Sequence, residues 1–470
     1  MANELAFPPG FRWGAATSAY QVEGAVAEDG RTPTIWDTFA HTPGAIAGGD
    51  TGDIGCDHYH RLEHDLDLLV QLGIPAYRFS TSWARVLPDG TGPVNQRGLD
   101  FYSRVVDGLL DRGIEPLVTL YHWELPQALQ DTGGWTNRQT ADRFAELATV
   151  VGRALGDRVP SFLTLNEPWC SAFLGYADGV HAPGVTDRAA ALAAAHHLNL
   201  AHGRAAAALR AVLPAAASVG VTLNPALVDP ADPDSPEDVA AAHHVHDISN
   251  GIFTGPMLSG HYPDGLLQQT AHLSDWSFVR DGDLTAIHQP VDMLGINYYQ
   301  PARVAAPRAG GDFWPGTDLA VGVTQPGPYT GMGWPIVPDG LTRLLLATHR
   351  EFPGIPLMVT ENGCAFEDSV TADGAVHDPE RIAYLRDHVA AVHRAIAAGA
   401  DVRGYYVWSL MDNFEWAEGY SARFGLVHVD FGSQRRTIKD SGIWFRDVVA
   451  ANAVPAASAP PGEDPAVAPA

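Results

Sequence analysis

Eight times along this chain a short apolar run of strand length ends in a polar side chain, and most of these runs follow a stretch of helical character. That repetition limits the possible folds more than any other feature. RLEHDLDLLVQLG (61–73) places Leu62, Leu66, Leu69 and Val70 at helical spacing, and IPAYRFS then carries Arg78. VVDGLLDRG leads to IEPLVTLYHW, which ends at His122 and Trp123. SFLTLNEP ends at Asn166 and Glu167, SVGVTLN at Asn224, VDMLGINYY at Asn297 and Tyr299, IPLMVTENG at Glu361, and VRGYYVWSL at Trp408. The opening FRWGAATSAYQ supplies one more strand, ending near Gln21. Strands alternating with helices predict a parallel sheet. Eight units without a change of composition predict an α/β fold, a single (β/α)8 TIM barrel with long βα loops over residues 1–450. In such a barrel the polar strand ends gather at one face. An open doubly wound sheet is the alternative, but it normally carries a ligand fingerprint at a βα turn. GGDTGDIG does not match G-x-G-x-x-G, and the chain contains no Walker A stretch.

Two segments stand apart. The residues from Ala451 to 470, ANAVPAASAPPGEDPAVAPA, hold five prolines among many alanines and are expected to be a disordered tail. DPADPDSPED (229–238) is acidic and proline-rich, which predicts a solvated loop.

Charge narrows the choice of partners. The 29 basic residues against 55 acidic ones leave a net −26, which argues against nucleic acid and anionic membranes. No apolar run approaches the roughly 20 residues of a membrane span. Cys56, Cys170 and Cys364 are three in number with no C-x-x-C pair, which fits a reducing compartment. The first residues lack a basic segment followed by an apolar core. The expected location is the cytoplasm.

Several polar clusters read as structural. HHVHD (243–247) lacks zinc-site spacing and reads as a polar helix face. His196, His197 and His202 lie in an alanine-rich helix and read as surface or packing residues. Cys364, three residues after Glu361, reads as a small apolar filler. The two glutamates at strand ends differ. Either alone would read as a salt-bridge partner or a helix cap. Together, Glu167 beside Asn166 and Glu361 beside Asn362 would project at the same barrel mouth. Around that mouth gather Gln21, Arg78, His122, Trp123, Asn297, Tyr299, Trp408, Glu415 and Trp416. Amides, an imidazole, carboxylates and indoles suit a neutral polyol, whose hydroxyls need hydrogen bonds and whose apolar ring face lies on an aromatic plane. Two carboxylates flanking one acetal carbon are the layout of glycoside hydrolysis. Pro168 disfavours helical geometry at Glu167, so the strand is expected to stay extended through it.

The motifs TLNEP, VTENG, YRFSTSWARVLP, YHWELPQAL, GINYY and WSLMDNFEW, met in one chain, resemble family 1 glycoside hydrolases, the β-glucosidases. The resemblance runs from FPPGFRWGAATSAYQVEG to FGLVHVDF and fails only at the tail. It implies a (β/α)8 barrel, with Glu167 as acid/base and Glu361 as nucleophile. It also implies that Gln21, His122, Asn166, Glu415 and Trp416 hold the non-reducing sugar, with Trp408 as its stacking platform. Arg78, Asn297 and Tyr299 match positions that hold and tune the nucleophile, and Trp169 and Trp334 match the leaving-group side.

The expected reaction is double displacement with retention, releasing terminal β-D-glucosyl residues from cello-oligosaccharides or aryl and alkyl β-glucosides. No metal or organic cofactor is called for. A broader gluco/galacto/fuco specificity and transglycosylation stay open. A 6-phospho-β-glycosidase resembles this chain but carries serine where Glu415 stands, with a lysine shortly after. Here no lysine occurs between Glu415 and Lys439. A catalytically dead sugar-binding barrel would typically lack one of the glutamates, and both are present.

Overall fold

The structure, a computed structural model, describes residues 4–307 and 312–455. Eight parallel strands close into a barrel: β1 (Arg12–Ala16), β2 (Ala76–Ser80), β3 (Glu115–Tyr121), β4 (Ser161–Asn166), β5 (Ser218–Leu223), β6 (Met293–Asn297), β7 (Leu357–Asn362) and β8 (Val402–Trp408). Neighbours in space are neighbours in sequence, and β8 closes the ring by pairing Trp408 with Ala16 of β1. The strands are buried almost throughout, as a parallel sheet covered on its outer face requires.

Helices α1 (His58–Gln71), α2 (Gln96–Asp111), α3 (Gln139–Leu155), α4 (Arg188–Arg210), the short α5 (Asp283–Ile287), α6 (Pro338–Glu351), α7 (Pro379–Ala397) and α8 (Asp440–Ala451) lie between or after the strands. Their apolar stripes fix the packing. α3 buries Phe144, Leu147, Ala148, Val151 and Leu155, three to four residues apart. α1 buries Leu62, Leu66 and Leu69 as their spacing predicts, but Val70 is 52% exposed. The buried arc of that helix turns toward Leu68 and leaves Val70 past its edge. No helix among the described residues is long and apolar enough to cross a membrane.

Long loops extend the mouth. Beyond the ends of β5 and β6, strands Val228–Pro230, Ala302–Ala305 and Val321–Gly322 form a small separate sheet. The acidic stretch 229–238 is therefore not a plain solvated loop. Its start pairs with Ala302–Ala305, and its end opens the helix Pro236–His246. Ser235 caps that helix by accepting from the Asp238 backbone N–H, with Pro236 in the first turn, and Asp238 is buried. In the same helix His243 and His246 face solvent, as a polar face should, while buried His244 contacts Gln269 and Thr317. The α4 histidines resolve as packing residues: His196 meets Tyr262 and Asp283, His197 the Trp135 carbonyl, and His202 the Thr164 hydroxyl.

The expected tail begins too early. Ala451 ends α8, and Ala453–Pro455 pairs antiparallel with Glu4–Ala6, with Val454 fully buried. This pairing joins segments about 450 residues apart in sequence, so composition alone does not reveal it. Residues 456–470 lie outside the described residues.

Candidate active site

All eight barrel strands run the same way, so their C-terminal ends meet at one face. A cavity of about 640 Å³ opens there. Glu167, Glu361, His122, Trp123, Asn297, Tyr299, Trp408, Glu415 and Trp416 line it, with Trp169 and Trp334 farther out. Arg78, Asn166 and Gln21 lie beneath or behind this lining, each almost fully buried.

Arg78 organises the floor. Its Nη1 donates to Glu361 Oε1 at 2.6 Å and to the Thr360 carbonyl at 3.2 Å. Its Nη2 donates to Asn166 Oδ1 at 2.6 Å, and its Nε to Thr119 Oγ1 at 3.1 Å. A guanidinium only donates, so this contact fixes which end of the Asn166 amide is oxygen. The same oxygen accepts from Asn297 Nδ2 at 3.1 Å, which orients the Asn297 amide in turn. Asn297 Nδ2 then donates to Glu167 Oε1 at 2.6 Å, while the Thr360 hydroxyl donates to Asn297 Oδ1 at 2.7 Å. One network thus sets both carboxyl groups. Two glycines let it assemble. A Cβ on Gly295 would lie 2.4 Å from Thr222 Oγ1 and 2.7 Å from Thr360 Oγ1, beneath the site. A Cβ on Gly363, the last residue of VTENG, would lie 1.8 Å from the Trp408 carbonyl oxygen.

The two carboxyls have unlike surroundings. Glu361 accepts from Arg78 and from the Tyr299 hydroxyl at 2.8 Å. Burial raises its pKa, and these donors pull it back. Burial also raises the pKa of Glu167, and the Glu361 charge raises it further. Its donors, Asn297 and the Cys170 thiol at 3.1 Å, carry no formal charge. Glu361 therefore ionises first and Glu167 keeps its proton. Burial is the larger cause of the rise at Glu167, ahead of the Glu361 charge. Because burial raises Glu361 as well, the separation comes from the donors that Glu361 has and Glu167 lacks, the Arg78 guanidinium first.

Glu167 does not continue the strand. β4 ends at Asn166, and Glu167 adopts φ +44°. Side chains alternate across an extended strand, so with Asn166 facing inward an extended Glu167 would face outward. The left-handed turn brings both to the mouth. Trp123 (φ +71°) and Trp416 (φ +48°), also in the lining, share that backbone region.

One end of the cavity is walled by aromatic rings. His122 stacks near Trp408 and Trp416, with centroids 5.7 and 5.9 Å apart, and Trp123 lies 4.5 Å from Trp416. Burial and Arg78 hold the His122 imidazole well below its usual pKa, so it is neutral. Its Nε2 faces Asn166 Nδ2 at 3.0 Å and accepts from it, which leaves Nδ1 as the protonated nitrogen, without a partner among the described residues. Trp123 donates to the Asn166 carbonyl at 3.0 Å, so this indole braces the floor. Gln21 donates to Asn413, to the Phe414 carbonyl and to Glu415 Oε2 (3.4 Å), holding the loop that presents Glu415. Burial, followed by repulsion from Glu361 and Glu167, pushes Glu415 up to about 8. Arg423, the nearest base in sequence, pairs with Asp412 at 2.7 Å instead, and Lys439 is held by Asp412 and Asp368.

Sequence reading missed several lining residues: Cys170, His181, Trp314, Tyr329 and Phe424. Trp314 and Phe424 extend the outer aromatic wall, 6.2 Å from Trp169 and 6.0 Å from Trp334 respectively. They arrive on loops whose course depends on distant contacts. Cys170 did leave a signal. It stands three residues after Glu167 in a segment that turns helical, where i and i+3 share a face. Cys364 is a buried filler as read.

Two buried carboxyls held by one network at the mouth of a parallel (β/α)8 barrel, beside an aromatic-walled cavity, make the frame of a glycoside hydrolase. Comparison with known proteins agrees. The family profile described as Glycosyl hydrolase family 1 matches residues 3–454, and the chain belongs to that family. It is similar to a bifunctional β-D-glucosidase/β-D-fucosidase of Bifidobacterium breve, 51% identical over 466 residues (95% of this chain, 98% of that one). It is also similar to a 1,4-β-D-glucan glucohydrolase of Thermotoga neapolitana, 44% identical over 448 residues (95% and 98%). Among solved structures, it resembles the family 1 β-glucosidase of Thermotoga maritima in complex with isofagomine lactam. That match has a TM-score of 0.91 at 44% identity, covering 96% of this chain and all of that one.

Proposed function

We propose that this protein is a retaining β-glucosidase that removes terminal non-reducing β-D-glucosyl residues by double displacement. The observation that carries the reading is the contrast between Glu361, ion-paired to Arg78, and Glu167, set among neutral donors. Glu361 attacks the anomeric carbon while protonated Glu167 donates to the leaving oxygen. The leaving alcohol departs and a covalent glycosyl-enzyme forms. Glu167, now ionised, takes a proton from water, which displaces Glu361. His122, Asn166, Glu415 and Trp416 serve the sugar hydroxyls, and Trp408 serves its apolar face. Gln21 acts from behind Glu415, and Trp169 and Trp334 flank the leaving group. The small neutral sugar needs no counter-ion, which fits a site already rich in carboxyls. The separate buried thiols of Cys56, Cys170 and Cys364 support a cytoplasmic location.

The test is the anomer first formed. Proton NMR during hydrolysis of an aryl β-glucoside is expected to show β-glucose before mutarotation. The α-anomer appearing first would overturn double displacement. The bifunctional name of the Bifidobacterium breve relative favours a second, broader reading in which β-fucosides are also cleaved.

Glu415 separates free from phosphorylated sugars. Its carboxyl has the Gln21 amide and the Trp408 indole beside it and, among the described residues, no ion-pair partner, and the cations nearest in sequence are already paired. Where it ionises against sugar hydroxyls it accepts charge-assisted hydrogen bonds, and in either protonation state it offers a 6-phosphate no positive partner. The expected kcat/KM for an aryl β-glucoside exceeds that for its 6-phosphate. Glu415→Ser is expected to lower kcat/KM for the free sugar by about 1.5–3 kcal/mol of transition-state binding. A preference for the phosphorylated substrate would refute this assignment.

A further inference from the structure

Asn224 ends β5's run into the mouth, and Cys170 opens a π-helical turn just after Glu167. Neither has a part in the reaction described above. Yet Asn224 Nδ2 lies 3.5 Å from Cys170 Sγ, and Sγ lies 3.1 Å from Glu167 Oε2. The Cys170 backbone N–H also donates to the Glu167 carbonyl at 3.0 Å, so side chain and main chain grip the same residue. We infer that Asn224 and Cys170 form a relay that positions Glu167 and adjusts the ease with which it gives up its proton.

The direction of the bonds follows from the chemistry. Burial and the Glu167 charge push the Cys170 thiol well up, so it stays S–H and donates to the carboxylate. Its sulfur takes the Asn224 amide as donor, and a group that accepts at one end donates more strongly at the other. Asn297 already donates to Oε1, so the acid proton resides on Oε2, the oxygen that faces the thiol. A thiol is a weak donor. It holds Oε2 in place, binds it more firmly once the proton has moved to the leaving group, and yields it readily when the proton returns from water. A hydroxyl at the same position would bind the carboxylate more firmly. Cys170 and Asn224 both line the cavity, so the relay stands at the point where the leaving group departs.

The inference rests on Glu167 as the acid, and the experiment keeps the two apart. The quantity measured is the basic limb of kcat/KM against pH for an alkyl β-glucoside, whose leaving group needs the acid. Glu167→Gln is expected to abolish that limb. Cys170→Ala removes a donor to the carboxylate and is expected to move the limb up by about half a pH unit, the size of a weak hydrogen bond to a charged acceptor. Cys170→Ser keeps a donor in place and is expected to leave the limb at or below its wild-type position. Asn224→Leu is expected to move it up by less than Cys170→Ala, and it carries the test if the alanine variant does not fold. A cysteine that only fills space would change kcat without moving the limb. If the limb survives Glu167→Gln, the acid assignment falls. If Glu167→Gln abolishes it while the Cys170 and Asn224 variants leave it unmoved, the relay falls and the acid stands. A limb that moves with Cys170→Ala but not with Asn224→Leu removes Asn224 from the relay.

Discussion

Glu361→Ala is expected to lower kcat by several powers of ten, each worth about 1.4 kcal/mol of barrier. The substitution removes the atom that would form the covalent bond, and no other carboxyl can take its place. Glu167 is held by Asn297 and Cys170. Glu415, on a separate loop, is tied to Gln21. The variant leaves Arg78 buried without its carboxylate partner, a loss that typically destabilises by about 3–5 kcal/mol. Here Asn166 still accepts from that guanidinium, and removal of one of three crowded carboxyls relieves repulsion. Thermal unfolding of the variant separates lost chemistry from lost fold. Azide, small enough for the vacated space, is expected to restore part of the turnover and give an α-linked glycosyl azide. A variant that keeps activity within tenfold of wild type without azide would remove Glu361 from the nucleophile role.

Glu167→Gln is the second large effect, and its signature depends on the substrate. Glutamine keeps the shape and the Asn297 contact but has no acidic proton. For alkyl glucosides a loss of about 10²–10⁴-fold is expected, the usual contribution of a positioned general acid. For dinitrophenyl glucosides, which leave unaided, glycosylation is expected to change little. The pH profile follows from the two raised carboxyls. Glu361 must be ionised, so activity falls as pH drops through its pKa. Glu167 must be protonated, so activity falls as pH rises through its raised pKa. Wild type is expected to give a bell, and the glutamine variant only the acidic limb. An equal loss on both substrate classes would count against Glu167 as the acid.

Much of this arrangement was legible in the sequence because barrel topology turns a local pattern into a spatial one. Once strands alternate with helices, a polar residue at the end of each must reach one face, whatever the loops do. Arg78, Asn166, Asn297 and Glu361 met for that reason, and their spacing in the chain did not matter. What escaped the reading depends on bonds that single segments do not encode. Pro168 does keep Glu167 out of right-handed helix, but the alternative taken is a left-handed turn, chosen by the need to face the floor network. The helix at Pro236 is signalled locally by Ser235 and Pro236, while the acidic composition of the stretch points to a loop. The pairing of Ala453–Pro455 with Glu4–Ala6 needed the whole barrel to bring its partners together. Cys170 and Cys364 stand at the same spacing after the two glutamates. Only the local turn after Glu167 distinguishes them.

The positive φ angles of Trp123, Glu167 and Trp416 have a consequence for engineering. A side chain in that region typically carries about 1–3 kcal/mol of backbone strain, and glycine largely escapes it. All three positions face the cavity, so its wall is also a place where the folded chain holds strained backbone. Selecting variants for heat resistance alone would favour relaxing these positions and would silence the enzyme in doing so. Durable improvement has to come from the outer helices and loops, where stability can rise without touching the backbone that holds the site in tension.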